Sequence, residues 1–133
     1  MRVFVVPQVA RWMRKERLPE AALCQAAREV AAGRLGAGEA DLGELLFKKR
    51  IARPGGGKRG GYRAILACRR PGTRRVLFAY AWAKNAAATL TPDGQAALAR
   101  VAAAFLDAAD AEVAALLAGN DVMELNCHAD QPH

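Results

Sequence analysis

Leu45-Leu46-Phe47-Lys48-Lys49-Arg50-Ile51-Ala52-Arg53-Pro54-Gly55-Gly56-Gly57-Lys58-Arg59-Gly60-Gly61-Tyr62-Arg63-Ala64-Ile65-Leu66-Ala67 is the stretch whose reading decides the fold. From Leu45 the side chains follow a period of two. Leu45, Phe47 and Ile51 point one way, and Leu46, Lys48 and Arg50 the other, as on a strand. Tyr62 to Arg69 repeats the pattern, with Arg63, Ile65, Ala67 and Arg69 on one side and Tyr62, Ala64, Leu66 and Cys68 on the other. The glycine-rich connection between the two strands is longer than a hairpin needs, the mark of a functional or mobile loop. Arg70-Pro71-Gly72-Thr73 is a turn signal. Arg75 to Trp82 then forms a third strand, with Val76, Phe78, Tyr80 and Trp82 expected on one face and Leu77, Ala79 and Ala81 on the other. Short connections make the three strands an antiparallel meander.

The flanking segments are helical. Residues 2 to 6 read as a short strand ended by Pro7, which opens a helix over residues 7 to 16 with Val9, Trp12 and Met13 at helical spacing. Pro19 opens a second helix, with Leu23, Ala27 and Val30 along one face and Gly33 as its stop. Residues 33 to 41 read as a loop. Thr91-Pro92-Asp93 starts the C-terminal helical third, with threonine as N-cap and the acid near the positive end of the helix dipole. Leu98, Val101, Ala102 and Phe105 form its apolar stripe. A second helical segment, about residues 108 to 118, stops at Gly119-Asn120, and Val122 to Leu125 add a short extended piece. The expected fold is α+β: an N-terminal helix hairpin on a small antiparallel sheet, a three-strand meander plus an N-terminal strand, with C-terminal helices. A single domain is expected over residues 1–119, followed by a polar C-terminal tail, residues 120–133.

The chain has 133 residues, 53% of them hydrophobic, enough for one core. No run of about 18 uncharged apolar residues is present, which predicts a cytoplasmic protein that does not engage a membrane. Cys24, Cys68 and Cys127 are far apart and lack CxxC spacing, so buried free thiols are expected in place of a disulfide framework or zinc site. The net charge of +7 conceals a sharp pattern. Residues 1–44 hold 7 Lys/Arg and 6 Asp/Glu, residues 45–92 hold 12 and none, and residues 93–133 hold 1 and 7. The three segments therefore carry +1, +12 and −6. A solvated surface mixes its charges, so an acid-free basic segment points to a polyanion, nucleic acid before membrane.

Several chemistries are excluded by composition. A phosphate loop fails because Ala52 stands where its first glycine is needed, Arg59 follows Lys58, and a strand follows where a helix is required. Residues 45–92 contain no carboxylate and no histidine, so they hold neither a Ser-His-Asp set nor a carboxylate-bound metal. Lysine and arginine remain. Attack on RNA by its own 2′-hydroxyl needs a base, stabilisation of a phosphorane and a proton for the leaving 5′-oxygen. A lysine among cations loses proton affinity and can serve as base. Arginine stays charged and its planar fork fits two phosphate oxygens. Each such electrostatic contact lowers the barrier by on the order of 3 kcal/mol.

The run Leu46 to Pro54, then Gly57-Lys58, Gly61-Tyr62-Arg63, Phe78-Ala79-Tyr80 and Ala83-Lys84-Asn85, resembles the RelE-like toxins of the RelE/ParE toxin-antitoxin superfamily. The resemblance covers residues 1 to about 118 and is most specific over 46 to 85. It implies N-terminal helices on an antiparallel sheet, a ribosome-associated or free mRNA endonuclease that needs no cofactor, and inhibition by a cognate antitoxin protein. It also implies that Arg63 contacts the scissile phosphate, that Lys48, Lys49 and Arg50 form the basic strand end, and that Lys84 is the lysine just after the last strand. The expected catalytic set is Lys48 or Lys84 as base, Arg63 as phosphorane stabiliser, and Arg50. Lys49, Arg53, Lys58 and Arg59 are expected to bind the nucleic-acid backbone. The histidine or C-terminal tyrosine found at the site in some members has no counterpart identified in this sequence, which leaves the general acid unassigned. Two other classes fit the charge pattern: a toxin that blocks DNA gyrase by binding, and a non-catalytic basic nucleic-acid-binding domain. The acidic last third raises a rival idea, that it folds against the basic face and restrains it, which the sequence leaves open.

Overall fold

Arg2–Val5 (β1) lies parallel to Arg75–Ala83 (β5), an arrangement that needs a crossover, and the chain between them supplies the rest of the fold. The structure, a computed structural model, describes residues 1–53, 57–69, 72–83 and 90–127, with side chains for all of these except 53 and 57–60. After β1 come Pro7–Glu16 (α1) and Glu20–Ala31 (α2), then Ala40–Gly43 (β2), Leu46–Arg53 (β3), Gly57–Cys68 (β4) and β5. Pro92–Asp107 (α3), Asp110–Ala118 (α4) and Met123–Glu124 (β6) complete the order. The six strands form one sheet in the order β2-β3-β4-β5-β1-β6, in which β3, β4 and β5 are the antiparallel meander. The expected α+β architecture is present.

Local chemistry places the helix ends. Pro7 sits in the first turn of α1, where its missing N–H costs nothing. Arg17 closes the helix in the left-handed region (φ 53°), so that the N–H of Leu18 reaches the Met13 carbonyl at 2.9 Å and Leu18 is buried. The Thr91 hydroxyl caps α3 by accepting the N–H of Gly94 at 3.0 Å, with Pro92 in the first turn.

The sheet separates two apolar layers. On one face Phe47, Ile51, Tyr62, Ala64, Leu66, Val76 and Phe78 pack with Val9, Trp12 and Met13 of α1 and Leu23, Ala27 and Val30 of α2. Burying one such aliphatic or aromatic side chain contributes roughly 1.5–3 kcal/mol, so the alternation of these strands is set by their apolar partners. On the other face Leu46, Ile65, Ala67 and Leu77 pack with Phe4 and with Ala99, Ala102 and Phe105 of α3. Phe4 and Phe105 meet edge to face, ring centres 5.0 Å apart.

Three expectations are corrected. The long glycine-rich connection is mostly strand: β3 runs to Arg53, β4 begins at Gly57, and Arg53 pairs with Gly57 after a register shift. Glycine packs nothing against a sheet and so disguises a strand; residues 54–56 lie outside the described residues. Part of the 33–41 loop is also strand, since Ala40–Gly43 pairs with β3 as the sheet edge. Two of the three cysteines are joined, Cys24 of α2 to Cys127 with Cα atoms 5.5 Å apart, while Cys68 is a buried free thiol. Spacing gave no hint of that bond, because it is β6 pairing beside β1 that carries Cys127 under α2. The short extended piece expected at Val122 to Leu125 is present as β6: Val122, Leu125 and Cys127 are buried, and Glu124 accepts two hydrogen bonds from Arg2 at 2.8 and 2.9 Å. His128 and His133 lie outside the described residues.

Candidate nucleic-acid interface

The central strands build the site through their register. Arg50 of β3 pairs with Arg63 of β4, which pairs with Trp82 of β5. One step along, Lys48 pairs with Ile65, which pairs with Tyr80. Paired residues share a face, with Cβ atoms roughly 4.5–5.5 Å apart, so Lys48, Arg50, Arg63, Tyr80 and Trp82 form one patch around Ile65. The next row, Leu46 with Ala67 and Leu77, is roofed by α3. In the next rows Ile65 is buried, and the three cations and two aromatics are half-buried around it, the two rings packing against the α3-side core.

The aromatics reach this patch by a β-bulge. Strict alternation puts Tyr80 and Trp82 beside Val76 and Phe78, in the core under α1. In the structure Leu66 pairs with Phe78 but Ile65 pairs with Tyr80, so Ala79 is the extra residue and the face switches there. Val76 and Phe78 enter the helix-hairpin core, whereas Tyr80 and Trp82 join the basic face. Their rings are 5.6 Å apart and tilted by 35°. The run Leu77-Phe78-Ala79-Tyr80 is apolar throughout, so it carries no marker of phase, and the small Ala79 is the one local sign of where an extra residue fits.

Lys49 leaves the binding set. It follows Lys48 on the strand and therefore points to the opposite face, where it is 2% exposed and paired with Glu29 of α2 and with Glu39, each at 2.8 Å. Burial pushes the Lys49 ammonium down, but its hydrogen bonds to Glu29 and Glu39 and their charges outweigh burial and hold it above the ordinary lysine value of 10.5. Burial pushes the Glu39 carboxyl up, yet Lys49 and the backbone N–H groups of Gly36 and Arg50 hold it below its ordinary 4.5. The stability contributed by Glu39 is thus complete above about pH 4.5 and lost as pH falls through the depressed value. That of Lys49 is complete below about pH 10.5 and lost as pH rises through the raised one.

Arg50 and Arg63 are held in place. Arg50 donates from Nη1 to the Ala37 carbonyl at 3.1 Å, and Arg63 donates from Nη1 to the carbonyl of Tyr62 at 3.2 Å. Partial burial and then the neighbouring Arg50 charge lower the pKa of Arg63, with Glu39 acting the other way. A guanidinium stays charged after any such shift, so the pair is a local concentration of positive charge. Arg53 ends β3, and Lys58 and Arg59 lie near the start of β4, but their side chains lie outside the described residues. Lys84 also lies outside them, directly after Ala83, which pairs with Tyr62 at the same end of the sheet as Arg63.

Three acids of the last third meet arginines away from this patch. Asp107 pairs with Arg69 at 2.8 Å, Asp110 with Arg75 at 2.9 Å and Glu124 with Arg2 at 2.8 Å. These pairs gather at the other end of the sheet, six residues along β4 from Arg63, or roughly 20 Å. Among the described residues no helix is long and apolar enough to cross a membrane, and no group of three His, Cys, Asp or Glu could hold a metal ion.

No curated protein and no solved structure gives a significant match to this chain. The family model for the RelE toxin of the RelE/RelB toxin-antitoxin system matches residues 1–125. That span takes in both helical layers, the whole sheet and every described residue of the basic patch. A toxin role and a cognate antitoxin partner come with it. The chain belongs to the RelE toxin family.

Proposed function

We propose that this toxin is a metal-independent mRNA endonuclease, acting on or off the ribosome, whose site is the basic patch on this sheet face. The observation that carries the reading is the juxtaposition of Lys48, Arg50 and Arg63 with Tyr80 and Trp82 on one accessible patch. Cations alone suit any polyanion. Cations bordered by two half-buried rings suit a single strand whose phosphate is gripped while its bases stack.

In this reading the scissile phosphate sits between Arg50 and Arg63, whose N–H donors face the oxygens that gain charge in the phosphorane. A lysine takes the 2′-hydroxyl proton as that oxygen attacks phosphorus; Lys48 and Lys84 are the candidates. The bond to the 5′-oxygen then breaks, leaving a 2′,3′-cyclic phosphate and a 5′-hydroxyl. Tyr80 supplies a phenol on the same face, a proton donor strong enough for a departing alkoxide and the group that composition alone left unassigned. Trp82 and Tyr80 offer surfaces for the bases on either side. Arg53, Lys58 and Arg59 extend the backbone contacts along the strand ends, and the antitoxin silences the toxin by covering or displacing this surface.

The test is to induce the wild type and Arg63→Ala in bacteria and map transcript ends. New 5′-hydroxyl ends are expected with the wild type, and about a hundredfold to a thousandfold fewer with Arg63→Ala at equal protein level. Growth arrest with intact transcripts and gyrase-linked DNA damage would establish the DNA-gyrase class of toxin. Intact transcripts, normal growth and retained RNA binding would establish a non-catalytic binding domain.

A further inference from the structure

Of the carboxylates that reach the acid-free segment from outside it, Glu39 touches the backbone of a site arginine. Glu39 precedes β2 at the sheet edge, where β2 and β3 pair. Its side chain is 2% exposed and its two oxygens are divided between two neighbours of opposite orientation. Oε1 accepts from Lys49 Nζ at 2.8 Å on the helix-hairpin side. Oε2 accepts the backbone N–H of Arg50 at 3.1 Å, the residue whose side chain points to the basic face. Oε1 also accepts the N–H of Gly36 at 2.6 Å, and the Glu39 N–H returns to the Gly36 carbonyl at 3.1 Å, so residues 36–39 form a closed turn.

That turn lies against the Arg50 side chain. The Ala37 carbonyl accepts from Arg50 Nη1 at 3.1 Å. Gly38 has φ +79°, a conformation that favours glycine, and a Cβ there would stand 3.4 Å from Arg50 Cδ. Stem, head and backbone of Arg50 are therefore all referred to the turn that Glu39 closes. The field points the same way: Arg50 and Arg63 repel one another, and the charge of Glu39 offsets that repulsion at Arg63.

We propose that Glu39 is a positioning residue of this site, holding the Arg50 guanidinium at a fixed place beside Arg63 so that the two close on one phosphate. The inference rests on the endonuclease reading. Its chemistry predicts a separation of effects that a purely structural role does not produce. Glu39→Gln keeps a carbonyl oxygen for one N–H but loses the charge and the shared grip, and it raises the net charge by one. Uncleaved RNA then binds as well or better, while the chemical step slows because the phosphorane meets two arginines that are no longer aligned with each other.

The experiment uses the full chain as wild type, Glu39→Gln, Glu39→Asp, Glu29→Gln and Arg63→Ala. Cleavage of a reporter mRNA is followed at saturating toxin in a cell-free translation reaction. Affinity is measured on a 2′-O-methyl RNA, which lacks the attacking hydroxyl, and thermal melts confirm folding. The order of the Arg50 side chain is read from its Nε–H signal in ¹⁵N spectra. Glu29→Gln is the matched control, because Glu29 pairs with the same Lys49 from the helix side of the sheet. Expected is a fall of about tenfold to a hundredfold in cleavage rate for Glu39→Gln, with affinity unchanged or higher, near-normal rate for Glu29→Gln and partial recovery in Glu39→Asp. The Arg50 signal should broaden in Glu39→Gln and persist in Glu29→Gln. Equal losses in Glu39→Gln and Glu29→Gln overturn the proposal, since burial of Lys49 would then be the whole effect. So does an Arg50 signal unmoved by Glu39→Gln, whether or not the protein cleaves RNA. A wild type that cleaves nothing overturns the endonuclease reading alone, and the Arg50 signal still decides the role of Glu39.

Discussion

The two ends of β4 and β5 carry the same residue type for opposite purposes. At one end, Arg50 and Arg63 stand paired across strands beside Lys48, with two aromatic rings in the same patch. At the other, Arg2, Arg69 and Arg75 each meet a carboxylate from the C-terminal third: Glu124, Asp107 and Asp110. A cleft of about 640 Å³ lies at this second end, lined by Arg2, Arg69, Arg74, Arg75, Asp107 and Asp110 among others. Such a cleft is the obvious alternative binding site. Charge balance argues against it, because an entering phosphate must displace carboxylates already in place. The arginines matched to carboxylates fasten α3, α4 and β6 to the sheet; Arg50 and Arg63 instead adjoin one another across the strands beside Lys48.

The contrast is sharpest when one arginine is removed from each end. Arg63→Ala should lower cleavage about a hundredfold to a thousandfold, on the order of 3–4 kcal/mol in the barrier, with little change in melting temperature. Arg75→Ala should do the reverse. Arg75 donates to the carbonyls of Phe105 and Ala108 at 2.9 and 2.6 Å and to Asp110, so its loss strips two main-chain acceptors between α3 and α4. A destabilisation of about 2–4 kcal/mol follows, read as a drop of roughly 10 °C in Tm, while cleavage per folded molecule is unchanged. A fall in intrinsic cleavage with Arg75→Ala, or a large loss of stability with Arg63→Ala, would erase the distinction.

A smaller effect tests the aromatic border. Trp82→Ala should weaken binding of 2′-O-methyl RNA by about 1–2 kcal/mol, the range for one stacked base. The loss should be nearly independent of salt, since stacking releases no counterions, whereas Arg63→Ala should lower the salt slope. A Trp82→Ala protein that binds normally but melts far lower would return Trp82 to the core, where strict alternation places it.

That difference shows what is legible in this sequence. Lys48, Arg50 and Arg63 were readable because their strands alternate cleanly between apolar partners and charge, and alternation is a physical record of two unlike faces. Tyr80 and Trp82 were not, because a bulge at Ala79 in an all-apolar run changes face without changing composition. Lys49 was misread for a related reason. One residue of phase separates a solvated cation from a buried one, and what decides between them is Glu29 on α2 and Glu39 before β2. The helices were plain from Pro7, Pro19 and Thr91-Pro92, whose effects on backbone and capping are local. The Cys24–Cys127 bond, spanning 103 residues, depends on sheet order and so on the whole topology.

The smallest expected effect bears hardest on the idea that matched arginines are fasteners. Arg69 and Asp107 meet at 2.8 Å, yet their side chains are 53% and 65% exposed. Water screens such a pair, and two long side chains lose rotamer freedom in forming it, so a double-mutant cycle with Arg69→Ala and Asp107→Ala should give a coupling of under about 1 kcal/mol. Arg75 differs: it is 12% exposed and bonds to main-chain carbonyls, so its value lies in satisfying the backbone and not in its ion pair with Asp110. Asp110→Ala should therefore cost far less stability than Arg75→Ala. Comparable costs would mean that charge pairing itself holds the C-terminal helices, and raising the salt to about 1 M, where the screening length is near 3 Å, should then loosen them.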